Sequence, residues 1–288
     1  MSMRLTRLKL TNWRNFKTVD AAFARRMFVV GPNASGKSNL LDSIRFARDV
    51  ARVGGGFQEA VASRGGVHKV RCLAARSLNK GRVHLGFELG DDVQPDVWSY
   101  HLDFSAERRG KHRPVLSEEH IRHRGVEVLS RPDDLDAADE ERLTQTALEQ
   151  VNMNREFREI ADLLTSVRYR HLVPQLLREP ERRNDHVDDP FGADFLMQVA
   201  RTSPKTRESR LKRINAALRL AVPQLDELQL KHDDDGTPHL EARYEHWRER
   251  GARQDERDFS DGTLRLIGLL WSLTDVSRSA GPLLLAGC

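Results

Sequence analysis

Eight residues near the start of the chain, Gly31-Pro32-Asn33-Ala34-Ser35-Gly36-Lys37-Ser38, have the types and spacing of a phosphate cradle. In the pattern G-x-x-x-x-G-K-S, small and turn-prone residues let consecutive backbone N–H groups converge on one anion. The Lys37 ammonium would supply a point charge to the β/γ oxygens, and the Ser38 hydroxyl a ligand to Mg²⁺. The flanks carry the rest of the argument. Met27-Phe28-Val29-Val30 is an apolar run expected to form a buried strand, and Leu40, Leu41, Ile44 and Ala47 fall on one face of a helix. Strand, glycine-rich loop and helix together favour a nucleotide site over an ordinary Gly/Ser turn, because the helix dipole adds to the loop's donors.

A second stretch with chemical content lies near the other end. Phe259-Ser260-Asp261-Gly262-Thr263-Leu264-Arg265 precedes a helix whose Leu266, Leu269, Leu270 and Leu273 are expected to face a core. The Ser260 and Thr263 hydroxyls and the Gly262 N–H, placed at a helix N-terminus, can bind an anion. The same residues also read as an ordinary helix cap, with Ser260 or Asp261 as N-cap.

The elements that must position these loops can be taken in order. Leu5, Leu8 and Leu10 are separated by Arg and Lys, and Val19 and Phe23 mark a second strand after Asn12-Trp13-Arg14-Asn15-Phe16, so a hairpin precedes the cradle. Five basic side chains and no acid fall in its first seventeen residues. Gly54-Gly55-Gly56 is expected to end the first helix and open a flexible connector to Gly65-Gly66. From about 67 to 130 short alternating runs, Val83–Leu89 and Trp98–Phe104 among them, predict an antiparallel β-meander. His112, His120 and His123 lie in this stretch without metal-ligand spacing. A helical region starts at Pro132 and runs through polar 136–150. Phe157, Ile160, Ala161 and Leu164 then form a helical stripe, and Val167–Val173 reads as a strand. Residues 176–190 are dense in charge and proline and read as a linker or arm, dividing a lobe over 1–175 from a helical lobe over 191–288. In that second lobe Leu211, Ile214 and Leu218 share one face of a helix over 205–221. Lys205, Arg207, Arg210, Lys212 and Arg213 crowd the remainder, a surface able to lie on a phosphate backbone or simply to be solvated. A hairpin over 225–247 and a buried strand at Gly281–Leu285 close the pattern.

Composition narrows the class. With 39% hydrophobic and 31% charged residues the chain has the balance of a soluble globular protein, and its longest apolar stretch, Leu266–Leu273, is too short to span a bilayer. Two cysteines make no disulfide framework, and the N-terminus shows no secretory pattern, so a cytoplasmic location is expected. A net charge of +4, carried mainly by Arg, is compatible with a polyanionic partner such as DNA or with codon usage alone. Asp233-x-x-Gly236 fits a GTPase element, but Asn79-Lys80-Gly81-Arg82 lacks the carboxylate that would read guanine.

The hairpin motif Asn12-Trp13-Arg14-Asn15-Phe16, followed by an apolar run and Gly31–Ser38 extended by Asn39-Leu40-Leu41-Asp42 and Ile44, resembles the N-terminal lobe of RecF/SMC/OLD-type ABC ATPases. Ser260-Asp261-Gly262-Thr263 resembles their signature, with S-D-G-T in place of the commoner S-G-G-Q. The resemblance implies an α/β P-loop NTPase fold: an ABC-ATPase head with an antiparallel β-subdomain and a helical signature lobe. It implies ATP and Mg²⁺ as ligands. Gly31, Pro32, Asn33, Ala34, Ser35, Gly36, Lys37, Ser38 and Asn39 would hold the nucleotide, and Ser38 the metal. It further implies that Ser260, Asp261, Gly262 and Thr263 complete the site of a second, oppositely oriented copy, so that ATP joins a homodimer. A glutamine between the lobes, Gln145 or Gln150, would reach Mg²⁺ and the attacking water, unless both are plain solvent-exposed glutamines.

Family members serve DNA repair or defence against phage, often with an effector or nuclease partner. The family's acidic pair should end the strand at Leu283-Leu284-Leu285, where this chain reads Ala286-Gly287-Cys288. That departure predicts a truncated, frameshifted or split ATPase that binds ATP·Mg²⁺ more readily than it hydrolyses it. The alternative function is a degenerate, non-hydrolysing regulatory module for a partner effector or nuclease. A small-molecule P-loop kinase would want a substrate lid instead of a signature loop. No heptad repeat outlasts one helix, which excludes a long coiled-coil arm.

Overall fold

Leu8 and Leu10 alternate with Arg7 and Lys9 in the first strand, and that alternation decides the two faces of a sheet. In the computed structural model, which describes residues 3–53, 56–74, 81–107, 110–178, 189–245, 252–275 and 281–287, both leucines are fully buried. Arg7 and Lys9 lie on the opposite face and pair with Asp20 (2.6 Å) and Glu88 (3.0 Å). The chain divides into two compact units, Met1–Val167 with Ala280–Pro282, and Arg168–Ser279 with Leu283–Cys288.

The first unit is built on a six-stranded sheet in the order β2-β1-β3-β4-β5-β6. Its strands are β1 (Arg4–Trp13), β2 (Phe16–Ala22), β3 (Val83–Gly90), β4 (Trp98–Ala106), β5 (Pro114–His123) and β6 (Val126–Arg131). Every adjacent pair is antiparallel. The hairpin and the meander expected from sequence are therefore one sheet. Registry places Leu8, Phe87, Tyr100 and Ile121 in one row across four strands, all buried. Helix α1 (Lys37–Ala51) contributes Phe46, whose ring lies 5.2 Å from Trp13 and 5.6 Å from Phe104.

Two expectations fail in this unit. The connector after α1 contains helix α2 (Gly56–Ala62), because Phe57, Ala60 and Val61 form a buried stripe and the Glu149 carboxylate accepts the Phe57 N–H at its start (3.2 Å). Gly54 and Gly55 lie outside the described residues. Met27–Val30 is not a strand. Phe28 is 90% and Val30 89% exposed, and the segment pairs with no strand among the described residues. Four apolar residues do not make a strand without a neighbour to satisfy their backbone groups, and the sheet here ends at β2.

Short helix α3 (Val67–Val70) precedes β3. The polar stretch after β6 forms only α4 (Asp134–Ala138) and a 3₁₀ turn (Glu140–Thr144), followed by helix α5 (Arg158–Thr165) on its expected stripe.

The second unit opens with β7 (Arg168–Arg170), which pairs in parallel with β11 (Leu283–Leu285), and with α6 (Pro174–Leu177). Of the expected linker over 176–190, Leu177 is buried and 179–188 lie outside the described residues. Helices α7 (Phe195–Arg201), α8 (Pro204–Leu218) and α9 (Asp261–Asp275) pack with the antiparallel strands β8 (Leu225–His232), β9 (Pro238–Tyr244) and β10 (Ala252–Asp255). The most buried stripe of α9 is Leu264, Ile267 and Trp271; of the leucines expected to face the core, Leu266, Leu269 and Leu270 are half-buried and pack against it, and Leu273 is 50% exposed. Both stripes have helical spacing, and the largest ring decides between them. Trp271 meets Phe195 edge-on at 6.4 Å and lies under the Arg210 guanidinium at 5.2 Å. Strand β10 carries no apolar alternation; it pairs with β9, and its Arg253 reaches Glu241 of β9 (2.5 Å) and Glu227 of β8 (3.5 Å). Among the described residues no helix is long and apolar enough to cross a membrane.

Candidate functional site

The loop before α1 turns through two residues in the left-handed region, Ala34 (φ 62°) and Gly36 (φ 100°). Position 36 has no room for a side chain, since a Cβ would lie 2.5 Å from Asn15 Nδ2 and 2.7 Å from Phe16 Cζ. That is why the second glycine of the pattern is required here. Lys37 Nζ donates to the carbonyls of Gly31 and Pro32, both at 2.8 Å, and so draws the loop around its ammonium. Residues 31–35 and Ser38 are exposed. The Gly36 N–H meets no acceptor among the described residues. The N–H groups of the first turn of α1 have no intrahelical acceptor either. Unpaired N–H donors, a helix N-terminus and a lysine converge on one exposed loop, the chemistry that a polyphosphate requires. Ser38 offers a hydroxyl for a cation. Among the described residues no group of three His, Cys, Asp or Glu suited to a metal occurs.

The tip of the β1–β2 hairpin braces this loop. Trp13 Nε1 donates to the Asn39 carbonyl (2.9 Å), and Arg14 pairs with Asp42 (3.1 Å). Asn39 Nδ2 donates to Asn15 Oδ1 (2.8 Å), while Asn15 Nδ2 donates to the Ser35 carbonyl (3.3 Å). Arg64 joins Asp42 to Asp49 on the same helix. Sequence reasoning registered this hairpin as a motif only; its one available signal was the pairing of Asn12–Phe16 with a phosphate loop.

Gln145 is exposed, and its carbonyl accepts from Arg131 (2.9 Å). The Gln150 amide donates to the Thr146 carbonyl (3.2 Å). Both sit in turns instead of the helix expected for this stretch. They are tethered by a buried ion cluster that sequence reasoning missed: Arg131 between Glu119 (3.1 Å) and Asp136 (2.8 Å), all three side chains wholly buried. Burial pushes the Glu119 carboxyl up. Burial also acts to raise Asp136, but hydrogen bonds from Arg131, the Asp133 N–H and Arg142 outweigh it and hold Asp136 well below the usual carboxylate range.

In the second unit, Ser260 caps α9. Its Oγ accepts the Thr263 N–H (3.1 Å) and contacts Thr263 Oγ1 at 2.8 Å. Asp261 pairs with Arg178 (2.6 Å), which also donates to the Phe259 carbonyl (2.7 Å). Ser260, Asp261 and Gly262 are exposed and Thr263 is buried. Beyond β11 the Ala286 N–H donates to the Arg170 carbonyl (2.8 Å); Cys288 lies outside the described residues.

The family described as "AAA domain, putative AbiEii toxin, Type IV TA system" matches residues 26–285, nearly the whole chain. The chain belongs to this family. The DNA replication and repair protein RecF of Lacticaseibacillus casei (strain BL23) is 31% identical over 100 residues, 28% of this chain and 26% of RecF, and RecF of Lacticaseibacillus paracasei matches equally. The matched stretch thus spans about a quarter of these relatives' length. Among solved structures, the Smc head domain from Pyrococcus furiosus bound to the C-terminal domain of ScpA aligns at TM-score 0.44 and 11% identity, covering 96% of this chain and 80% of that one. RecF–ATP aligns at TM-score 0.34 and 15% identity, covering 99% and 85%. The family match and the RecF stretch bear out the resemblance drawn from the two motifs. The chain is thus an AAA-family domain that carries a stretch similar to RecF.

Proposed function

We propose that the chain is an ATP-binding ABC-type head that pairs with a second copy around Mg²⁺·ATP. The observation that carries this is the Gly36–Ser38 junction: a left-handed glycine, a lysine gathering two loop carbonyls, and unpaired N–H donors at a helix start. Mg²⁺·ATP, when bound, supplies a polyphosphate anion and a transferable γ-phosphoryl group. Gly31–Ser38 and Asn39 would wrap and orient that anion, with Ser38 on the cation. The exposed Ser260–Gly262 edge of α9 supports the pairing. Its hydroxyl and N–H donors face solvent in each copy and could meet the γ-phosphate held by the other. Either Gln145 or Gln150 would orient water once its turn moved toward the phosphates. A role in DNA repair accords with the name of the RecF relatives; a cytoplasmic location, DNA binding, phage defence and a nuclease partner rest on the family resemblance of the two motifs alone.

A second reading is a nucleotide-gated regulator without turnover. Ala286 and Gly287, standing where the resemblance expects carboxylates, favour it.

Equilibrium nucleotide titration with sedimentation tests the proposal. Lys37→Ala is expected to abolish ATP binding, whereas Ser260→Arg should keep binding and block ATP-dependent dimerisation. Unchanged dimerisation in the Ser260 variant refutes the shared site. Turnover measured beside binding separates the ATPase from the regulator.

A further inference from the structure

The Asn12–Phe16 motif has no part in the chemistry described so far, yet its Asn15 side chain reaches the loop at the most constrained point. We propose that Asn15 is a positioning residue of the phosphate loop, holding the Ser35–Gly36 peptide so that the Gly36 N–H faces the bound phosphate. The inference rests on the reading of this loop as a nucleotide site.

The amide orientation follows from its neighbours. The Ser35 carbonyl can only accept, so the Asn15 atom facing it at 3.3 Å is the NH₂ group, and Asn15 Oδ1 is left to accept from Asn39 Nδ2 at 2.8 Å. Asn39 is itself fixed, because Trp13 Nε1 holds its carbonyl at 2.9 Å. Asn15 is therefore a rigid donor. A trans peptide places its C=O and the following N–H on opposite sides of one plane. With the Ser35 carbonyl held toward the hairpin, the Gly36 N–H must point away from it, and there it finds no acceptor among the described residues.

The glycine at 36 belongs to the same device. Its φ of 100° suits no other residue, and the Asn15 carboxamide already occupies the space of a Cβ. Without the clamp, a loop of Asn, Ala, Ser and Gly would rotate this peptide freely, and ordering it would reduce phosphate affinity.

Asn15→Asp is nearly isosteric and exchanges the donor for an anionic acceptor facing the Ser35 carbonyl. It should weaken both Mg²⁺·ADP and inorganic pyrophosphate, measured calorimetrically on the full chain, by about 10- to 100-fold, the worth of one hydrogen bond to a charged group. Asn15→Ala, which only deletes the donor, should lose about 3- to 10-fold, and it keeps the test open if the aspartate variant fails to fold. A spectroscopic signature separates positioning from general destabilisation. In the wild type, pyrophosphate should move the Gly36 amide proton resonance strongly downfield, and in both variants that shift should shrink although the fold is intact. Wild-type affinity together with an unchanged Gly36 shift in either folded variant overturns the inference alone. A wild-type chain that binds neither probe overturns the nucleotide reading on which it rests, and the inference with it.

Discussion

Replacing Arg131 by Met would test how the first unit holds the turns that carry Gln145 and Gln150. The five N–H donors of Arg131 meet five acceptors: Asp136 Oδ2 (2.9 Å) and Oδ1 (2.8 Å), Glu119 Oε2 (3.1 Å), and the carbonyls of Gln145 (2.9 Å) and Arg142 (3.0 Å). Glu119 in turn accepts the Ala147 N–H (2.9 Å) and the Tyr100 hydroxyl (3.1 Å). Methionine nearly fills the volume but leaves the wholly buried Glu119 without a cation and Asp136 with Arg142 alone (3.0 Å). Breaking a buried ion cluster from one side costs about 3–5 kcal/mol, against a total stability of about 5–15 kcal/mol for a domain. Adding Glu119→Gln and Asp136→Asn to Arg131→Met removes the stranded charges and should recover most of that loss, since a neutral buried set is often no worse than an ionic one. Urea unfolding followed by far-ultraviolet circular dichroism measures all three states. A loss below about 1 kcal/mol in Arg131→Met would show that the cluster is no more than a surface pair in energy. A triple variant as unstable as the single one would show that lost packing, not stranded charge, sets the cost. If Gln145 serves turnover, residual activity should fall further than stability in every variant, because the Gln145 carbonyl loses the Arg131 guanidinium that anchors it.

Three further outcomes are expected. Gly36→Ala forces a side chain into the left-handed region, a strain of about 1–2 kcal/mol, and onto Asn15; calorimetry should show at least roughly a tenfold loss of nucleotide affinity with only a small fall in unfolding midpoint, and retained affinity would argue against this loop as the site. Burial first, then the neighbouring His84, pushes His101 down to about 4 from the ordinary 6.5. Its neutral form therefore stabilises the fold above pH 6.5, and that stability drains as pH falls toward 4, by about 1 kcal/mol at pH 5 after allowance for partial exposure; His101→Gln should flatten this limb of a stability–pH profile, and an unaltered limb would exclude His101 as its source. His239 responds in the opposite sense. Burial opposes its charge, but the Glu256 and Asp233 carboxylates raise it above 6.5, so its contribution is full below pH 6.5 and is lost as pH rises through the raised value. Amide exchange in β8 and β9 at pH 6 and pH 8 should show that loss, and Glu256→Gln should abolish the difference.

Local rules made the legible parts legible. Gly36 is required by its own left-handed dihedral angle, a local constraint that a spacing pattern captures, and in addition by short contacts to Asn15 and Phe16 of the β1–β2 hairpin, which no pattern captures. The alternation of Leu8 and Leu10 with Arg7 and Lys9 likewise revealed a sheet with one wet face. What escaped depends on partners far along the chain. Met27–Val30 has strand composition, but a strand exists only where a second backbone lies beside it, and four residues carry no information about that neighbour. In α9 two apolar stripes share the same period, and only the packing of Trp271 against Phe195 and Arg210 separates them.

The buried cluster is the sharpest case. Glu119, Arg131 and Asp136 each look like solvent-face charges in an alternating strand or a polar stretch, and their pairing requires β5, β6 and helix α4 to converge. The hairpin brace follows the same logic. Asn15 acts on Ser35 twenty positions away, through a contact that no composition or periodicity encodes. Both devices hold backbone groups with polar side chains, wholly buried in the cluster and exposed at Asn15. A buried polar group is costly unless every partner is in place, so such groups can be recognised only when the whole arrangement is seen. For that reason a single substitution in the cluster should do most to the Gln145–Gln150 turns, whereas Asn15 acts on the phosphate loop through its bonds to the Ser35 carbonyl and Asn39.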